Sequence, residues 1–407
     1  MTNLELATRR NQQDSSVIKA PQLKTLVASA QKISREISSK ATEAESNRKI
    51  SDDIIAMISD AEIYQMLVPK KYGGLEMSIS DYIEVILALS PLDASAGWTT
   101  SFYIGHNWMW NLLPEQAQQE IFADGPSARG PVMVAPTVVA TPKSDGFVLN
   151  GRAKWGTGSA HAQWCMVGGV VASDKAGPPD IRMFAMPWRE ARIEDTWHTS
   201  GMAATASHDV IFEDVFIPAH RMMKVADVKA GSPPGATLHE NSLYYTPFTP
   251  FLCLIASAPL VAVARGISQH AIARAKEFVS SYSGKTSADN PALQIRLAKA
   301  DLMSRAAETL LRDLASELEE GGKRAPVPIE ERVVMRAKAS YIATVARDTA
   351  TLLSQGGGAS AQMKDSPLQR AMRDLNMASC HVVFDQDPTM ELHGKMLVGM
   401  PPDMILA

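Results

Sequence analysis

Between residues 126 and 220 the hydrophobic period of the chain changes, and this change constrains the fold more than any other feature. Upstream, apolar residues recur at steps of three and four. In SDDIIAMISDAEIYQMLVPKKYGG, Ile54, Ile55, Ile58, Ile63, Met66 and Leu67 trace a helical stripe that Pro69 and Gly73-Gly74 bring to a stop. SISDYIEVILALS repeats the pattern, with Ser78 and Asp81 at capping-box spacing. GWTTSFYIGHNWMWNLL is apolar and aromatic along most of its length. From residue 126 short β-rich runs take over: PVMVAPTVVA, SDGFVLNGRAKW, QWCMVGGVVA, IRMFAMPW and HDVIFEDVFIP. Ser144-Asp145-Gly146 and Asn150-Gly151 read as turns between antiparallel strands. Beyond the loop KAGSPPGATLHENS, helical segments are expected at 251–282, 291–320, 330–355 and 366–385, parted by GGKRAPVP and GGGASAQMKDSP.

The expected fold is therefore α+β: an N-terminal helical domain (1–125), a middle antiparallel β barrel or sandwich (126–235) and a C-terminal four-helix bundle (236–407). A chain of 407 residues exceeds one ordinary core, which supports the division. A net charge of −4 offers no basic surface for nucleic acid. The N-terminus lacks an apolar signal region and no apolar run reaches membrane-spanning length, so the expected location is cytoplasmic, with no membrane partner. Cys165, Cys253 and Cys380 are odd in number and far apart; buried reduced thiols are expected, with neither disulfides nor a cysteine zinc site. Histidines show neither HxH nor HExxH spacing, so no metal is expected, and no GxSxG elbow marks a serine hydrolase. Near the C-terminus, RDLNMASCHVVFDQD places His381 among small and apolar residues. Core packing, metal ligation and a base role all fit that stretch.

The domain order, with LVPKKYGG (67–74), GFVLNGRAKWGTGS (146–159) and PLQRAMRD (367–374), resembles the acyl-CoA dehydrogenase fold. Three further stretches resemble the oxygenase components of two-component flavin monooxygenases built on that fold, such as the hydroxylases of p-hydroxyphenylacetate and secosteroid phenols and the dibenzothiophene monooxygenase. They are SAGWTTSFYIGHNWMW (95–110), WGTGSAHAQW (155–164) and DTWHTSGMAATASHDVIFEDVFIPAHR (195–221). Many dehydrogenases carry a glutamate base shortly after the Arg-Asp pair. Here LNMASCHVVFD follows, with no glutamate until Glu391.

The resemblance implies reduced flavin (FADH2 or FMNH2) and O2 as cofactors, acting through a C4a-hydroperoxide that hydroxylates a small aromatic substrate of phenol or indole type. It implies a separate NAD(P)H-dependent flavin reductase and a homotetramer. By the same likeness, His381 is the substrate base, His106 faces the substrate oxygen, and Thr157 is the hydroxyl nearest flavin N5. Trp155, Gly156, Gly158 and Ser159 line the flavin edge, His161 orients that loop, and Thr205 and Ser207 touch the flavin's polar side. Gly357 lets backbone approach a flavin phosphate or simply stops a helix. Trp108, Trp110 and Trp164, with Trp155, are candidate apolar walls, although core packing explains each tryptophan equally. The alternatives are an acyl-CoA dehydrogenase-like FAD dehydrogenase or oxidase, an S- or N-oxygenase of a heterocycle or amine, and a scaffold without catalysis.

Overall fold

The computed structural model describes residues 3–173, 177–279, 284 and 286–402, with residues 3–20 as backbone only. Five helices come first: α1 (Asn3–Asn47), α2 (Asp52–Asp60), α3 (Ile79–Leu89), α4 (Ala94–Trp110) and α5 (Glu115–Ile121). Their starts follow local chemistry. Ser78 and Asp81 close the expected capping box on α3, each accepting the other's backbone N–H. Asp93 caps α4 by accepting the Ala96 N–H at 2.8 Å. All residues of α4 are buried.

Seven strands follow among the described residues: β1 (Val132–Lys143), β2 (Gly146–Gly156), β3 (Trp164–Val171), β4 (Ile181–Pro187), β5 (Arg192–Glu194), β6 (His208–Pro218) and β7 (Met222–Lys224). They form one sheet in the order β5-β6-β2-β1-β3-β4-β7. Every pairing is antiparallel except β1 with β3, which is parallel. Leu149, Val167, Phe184, Phe212 and Ile217 share one buried core although they come from across the sheet, so the sheet curls upon itself. Ser144-Asp145 makes the expected hairpin turn, since Lys143 pairs with Gly146. Asn150-Gly151 does not turn the chain. It lies within β2, where the register slips between Leu149 and Gly151, and Asn150 exchanges two 2.9 Å hydrogen bonds with Asp214 of β6. The residues that favour a turn here build a β-bulge.

The remaining helices are α6 (Val225–Lys229), α7 (Phe248–Glu277), α8 (Pro291–Lys323), α9 (Ile329–Gly356), α10 (Pro367–Ala378) and α11 (Gln386–Leu397). Helix α7 stops at Glu277, and the end of its expected span, residues 280–282, lies outside the described residues. The last expected segment is not one helix. It ends at Ala378, breaks over residues 379–385, and resumes as α11. Both helical regions share one core reaching from Leu26 to Phe384, because α3 and α4 pack directly on α7. Gly266 of α7 permits that approach: a Cβ there would lie 1.7 Å from the Pro91 carbonyl oxygen.

A polar node, buried at Asp93, Arg370 and Asp374, joins α1, α4, α10 and the loop before β6. Asp374 of α10 accepts the Met202 N–H at 2.6 Å, and Arg373 donates to the Ser200 carbonyl at 2.6 Å. Glu45 of α1 pairs with Arg373 and with Arg370. Burial, reinforced by the neighbouring Asp93 carboxylate, pushes Asp374 up to about 7, and burial pushes Asp93 up to about 6.

Two outcomes follow from this packing. Gly266→Ala is expected to destabilise the protein by roughly 3 kcal/mol or more through overpacking. Gly394→Ala, in α11 where a Cβ meets nothing, should stabilise by about 0.5–1 kcal/mol; denaturant titration of both variants checks the opposite signs. Asp374 binds its proton more tightly folded than unfolded. Its contribution is therefore fully present below the unfolded pKa near 4 and is lost as pH rises through about 7. Asp374→Asn should accordingly lose less thermal stability than the parent between pH 5 and pH 8, and an equal loss in both proteins would refute the assignment.

Candidate active site

Residues four apart on a helix share a face, and on α4 that face presents Trp98, Phe102 and His106. Trp98 and Phe102 stack at 4.5 Å between ring centroids, and Phe102 meets His106 edge-on at 5.5 Å. His381 meets the same rings edge-on from another element, 5.5 Å from Trp98 and 6.2 Å from Phe102. The fold thus gathers the two expected histidines around Phe102. Trp98 and Phe102 lie within the 95–110 motif but are not singled out there as site residues, although their four-residue spacing with His106 was the available signal.

His381 sits in the break after α10, not on a helix. Three side chains hold that break by its carbonyls: Arg336 donates to Val382 at 3.3 Å, Cys253 to Val383 at 3.5 Å, and Ser340 to Phe384 at 2.6 Å. The His381 ring caps the short turn Val382–Phe384, its Nδ1 accepting the Val383 N–H at 3.3 Å. A neutral ring accepting at Nδ1 carries its proton on Nε2. His106 is the mirror case. Its Nδ1 donates to the Gly130 carbonyl at 2.7 Å, which leaves Nε2 with a lone pair and no partner among the described residues. Burial pulls both imidazoles down to about 4, so both are neutral near pH 7.

The Trp155–Ser159 segment lies against the other side of α4. Tyr103 donates its phenol to the Gly158 carbonyl at 2.5 Å. Gly158 has φ +75°, and a Cβ there would stand 2.4 Å from the Tyr103 oxygen, so only glycine fits. Its N–H donates to the Thr205 carbonyl, and Ser159 donates to the Ala206 carbonyl. Thr157 and Ser207 hydroxyls lie 3.0 Å apart, Ser207 and Thr205 2.8 Å apart. Met202 and Ala206 bracket this loop in left-handed conformations uncommon for residues with a Cβ. Trp155, also left-handed, leaves its indole 64% exposed beside an open cleft of about 350 Å³ lined by Arg152, Lys154, Thr196 and Asp209.

Other expected residues fall elsewhere. Trp108 and Trp110 are fully buried core, their indole N–H groups donating to Leu243 and Ala128 carbonyls, and Trp108 packs on Phe251 at 4.3 Å. They are not pocket walls. Trp164 is half-buried under the Arg221 guanidinium, which Glu120 holds. His161 hydrogen-bonds the Ile50 carbonyl at 2.9 Å and ties the loop to the entry of α2. Gly156 packs against Val210 of β6, and Gly357 ends α9, tight against Ala361. Cys165 and Cys253 are buried, whereas Cys380, next to His381, is exposed because the chain has left the helix there.

Residues 21–121 match the acyl-CoA dehydrogenase N-terminal domain and residues 254–386 the acyl-CoA dehydrogenase C-terminal domain. The chain is 33% identical to a pigment production hydroxylase of Rhodococcus sp., across 89% of this chain and 93% of that one. It is 28% identical to the oxygenase component of p-hydroxyphenylacetate 3-hydroxylase of Acinetobacter baumannii, across 93% and 90%. The solved structure of the HsaA monooxygenase from M. tuberculosis superposes with a TM-score of 0.87 at 26% identity, covering 94% of this chain and all of that one. With both terminal domains matched and hydroxylases aligned over nearly their whole length, the chain belongs to the two-component flavin-dependent monooxygenases built on the acyl-CoA dehydrogenase fold.

Proposed function

We propose that this oxygenase component hydroxylates a planar aromatic bearing an O–H or ring N–H, of phenol or indole type, held against Trp98 and Phe102. The observation that carries the reading is the convergence of His106 and His381 on Phe102 with opposite tautomers. Nε2 of His106 accepts the substrate's proton, and the Nε2–H of His381 donates to the same substrate. This reverses the base role that the sequence resemblance gives to His381. Reduced flavin, FADH2 or FMNH2, supplies when bound the activation of O2 and delivery of one oxygen atom to an electron-rich ring. The residues present fit such a group: the exposed Trp155 indole offers a stacking face, and the Gly156–Ser159 segment with Thr157 offers a polar edge.

Magnitudes decide how His106 works. With a pKa near 4 against roughly 10 for a phenol, complete proton transfer before oxygen delivery costs roughly 8 kcal/mol. His106 therefore accepts a hydrogen bond in the ground state, and the proton follows as the ring becomes acidic during attack. Trp98, Phe102 and the buried length of α4 keep water from that proton.

A separate NAD(P)H-dependent flavin reductase supplies the reduced flavin. Exposed apolar side chains at Leu302, Tyr341, Leu397 and Val398 support burial between copies, and a homotetramer is the assembly we assign. Sedimentation equilibrium should give four times the 44.1 kDa chain mass; a monomer at micromolar concentration would exclude it.

The functional test mixes the protein, chemically reduced flavin and oxygenated buffer with a phenol or an indole, and measures hydroxylated product and hydrogen peroxide per flavin oxidised. The parent should give mainly hydroxylated product with little peroxide. His106→Ala should slow hydroxylation about 10²- to 10⁴-fold, with peroxide taking its place. His381→Ala should mainly raise the substrate KM about tenfold, the worth of one hydrogen bond. A larger fall in kcat for His381→Ala would return the base role to His381, and peroxide as the sole product of the parent would sink the proposal.

A further inference from the structure

A hydroxyl group has one proton, so a chain of hydroxyls ending on a carbonyl can point only one way. Thr205 donates to the Met202 carbonyl at 2.8 Å, which uses its proton. Its oxygen can then only accept from Ser207, and Ser207, its proton spent, can only accept from Thr157. The direction of the whole chain is fixed by the Met202 carbonyl. Met202 is itself secured, its N–H held by Asp374 and its carbonyl also receiving the Trp197 indole N–H at 2.9 Å. Thr205 and Ser207 are almost wholly buried, so water does not compete for their protons. Thr157, at the open end, keeps its lone pairs and has no proton to offer outward.

We propose that Ser207 and Thr205 are positioning residues that make Thr157 a pure acceptor and thereby select reduced over oxidised flavin. The inference rests on the reading that Thr157 faces flavin N5. Reduced flavin carries N5–H, a donor that suits an acceptor, whereas oxidised flavin presents an N5 lone pair that meets a lone pair. No bond to the flavin is made or broken; the discrimination is one matched against one mismatched hydrogen bond. Thr205 and Ser207 act without touching the ring, which differs from the direct contact expected of them from sequence.

The test measures dissociation constants of oxidised and dithionite-reduced FMN and FAD under anaerobic conditions, by fluorescence and calorimetry, without substrate turnover. Ser207→Ala frees the Thr157 proton to point outward. Oxidised flavin should then bind about tenfold tighter, with reduced flavin changed less than twofold. The midpoint potential of bound flavin should fall by about 30 mV, the two-electron equivalent of tenfold. Thr205→Val should move the ratio the same way, and Thr205→Ser should restore the parent ratio. Thr157→Ala should weaken reduced flavin about tenfold. If Thr157→Ala weakens reduced flavin but Ser207→Ala and Thr205→Val leave the ratio unchanged, the relay is wrong while the placement of Thr157 stands. If Thr157→Ala changes neither affinity, the placement of Thr157 is wrong and the relay inference falls with it.

Discussion

The site depends on α4 being buried at every residue. A helix with one solvated side can shift or roll; one enclosed by α3, α7, α10 and the loop before β6 cannot do so without opening the core. Burial of its large apolar side chains is worth about 1.5–3 kcal/mol each. That enclosure turns helical spacing into a fixed side-chain geometry around Phe102. Trp98, Phe102 and His106 line the face that His381 approaches, and Tyr103 grips the Gly158 carbonyl. One rigid element therefore sets the separation between the two halves of the site, and neither half needs to bind the other directly.

The chemistry that this frame holds is set by backbone groups more than by charge. Gly130 decides which nitrogen of His106 is protonated, Val383 decides for His381, and the Met202 carbonyl decides the direction of three hydroxyls. Each decision costs little because the peptide groups are already fixed by the fold. Arg373, Arg370 and Glu45 tie α1, α10 and the loop before β6 together. With both imidazoles neutral, His106 and His381 present preset donors and acceptors rather than charges.

Much of this was legible in the sequence where a local rule and a tertiary contact agree. The stripes of α2 and α3, the capping box at Ser78 and the hairpin at Ser144-Asp145 obey spacing rules that packing then reinforces. Legibility failed where the partner is distant. Asn150-Gly151 carries a turn signature, yet Asp214 across the sheet makes it a bulge. The helical pattern of 366–385 continues past Ala378, but donors from α7 and α9 capture the carbonyls of residues 382–384 and break it. Trp108 and Trp110 look like pocket aromatics until carbonyls 135 and 18 residues away, respectively, claim their N–H groups. Phe102 was hidden for the converse reason: it lies inside the 95–110 motif, yet nothing local sets it apart from its neighbours, and only the arrival of His381 beside it does so.

Helix α7 carries a further consequence. Contrary to the sequence expectation of no apolar run of membrane-spanning length, among the described residues it alone is long and apolar enough to cross a membrane, and 89% of its most apolar stretch is buried inside the protein. The helices that cover one side of it, α3 and α4, precede it in the chain, and those that cover the other, α8 and α9, come after. During synthesis its first shelter has already left the ribosome when α7 emerges. The order of the segments along the polypeptide thus lets the most apolar helix emerge after two of the helices that cover it.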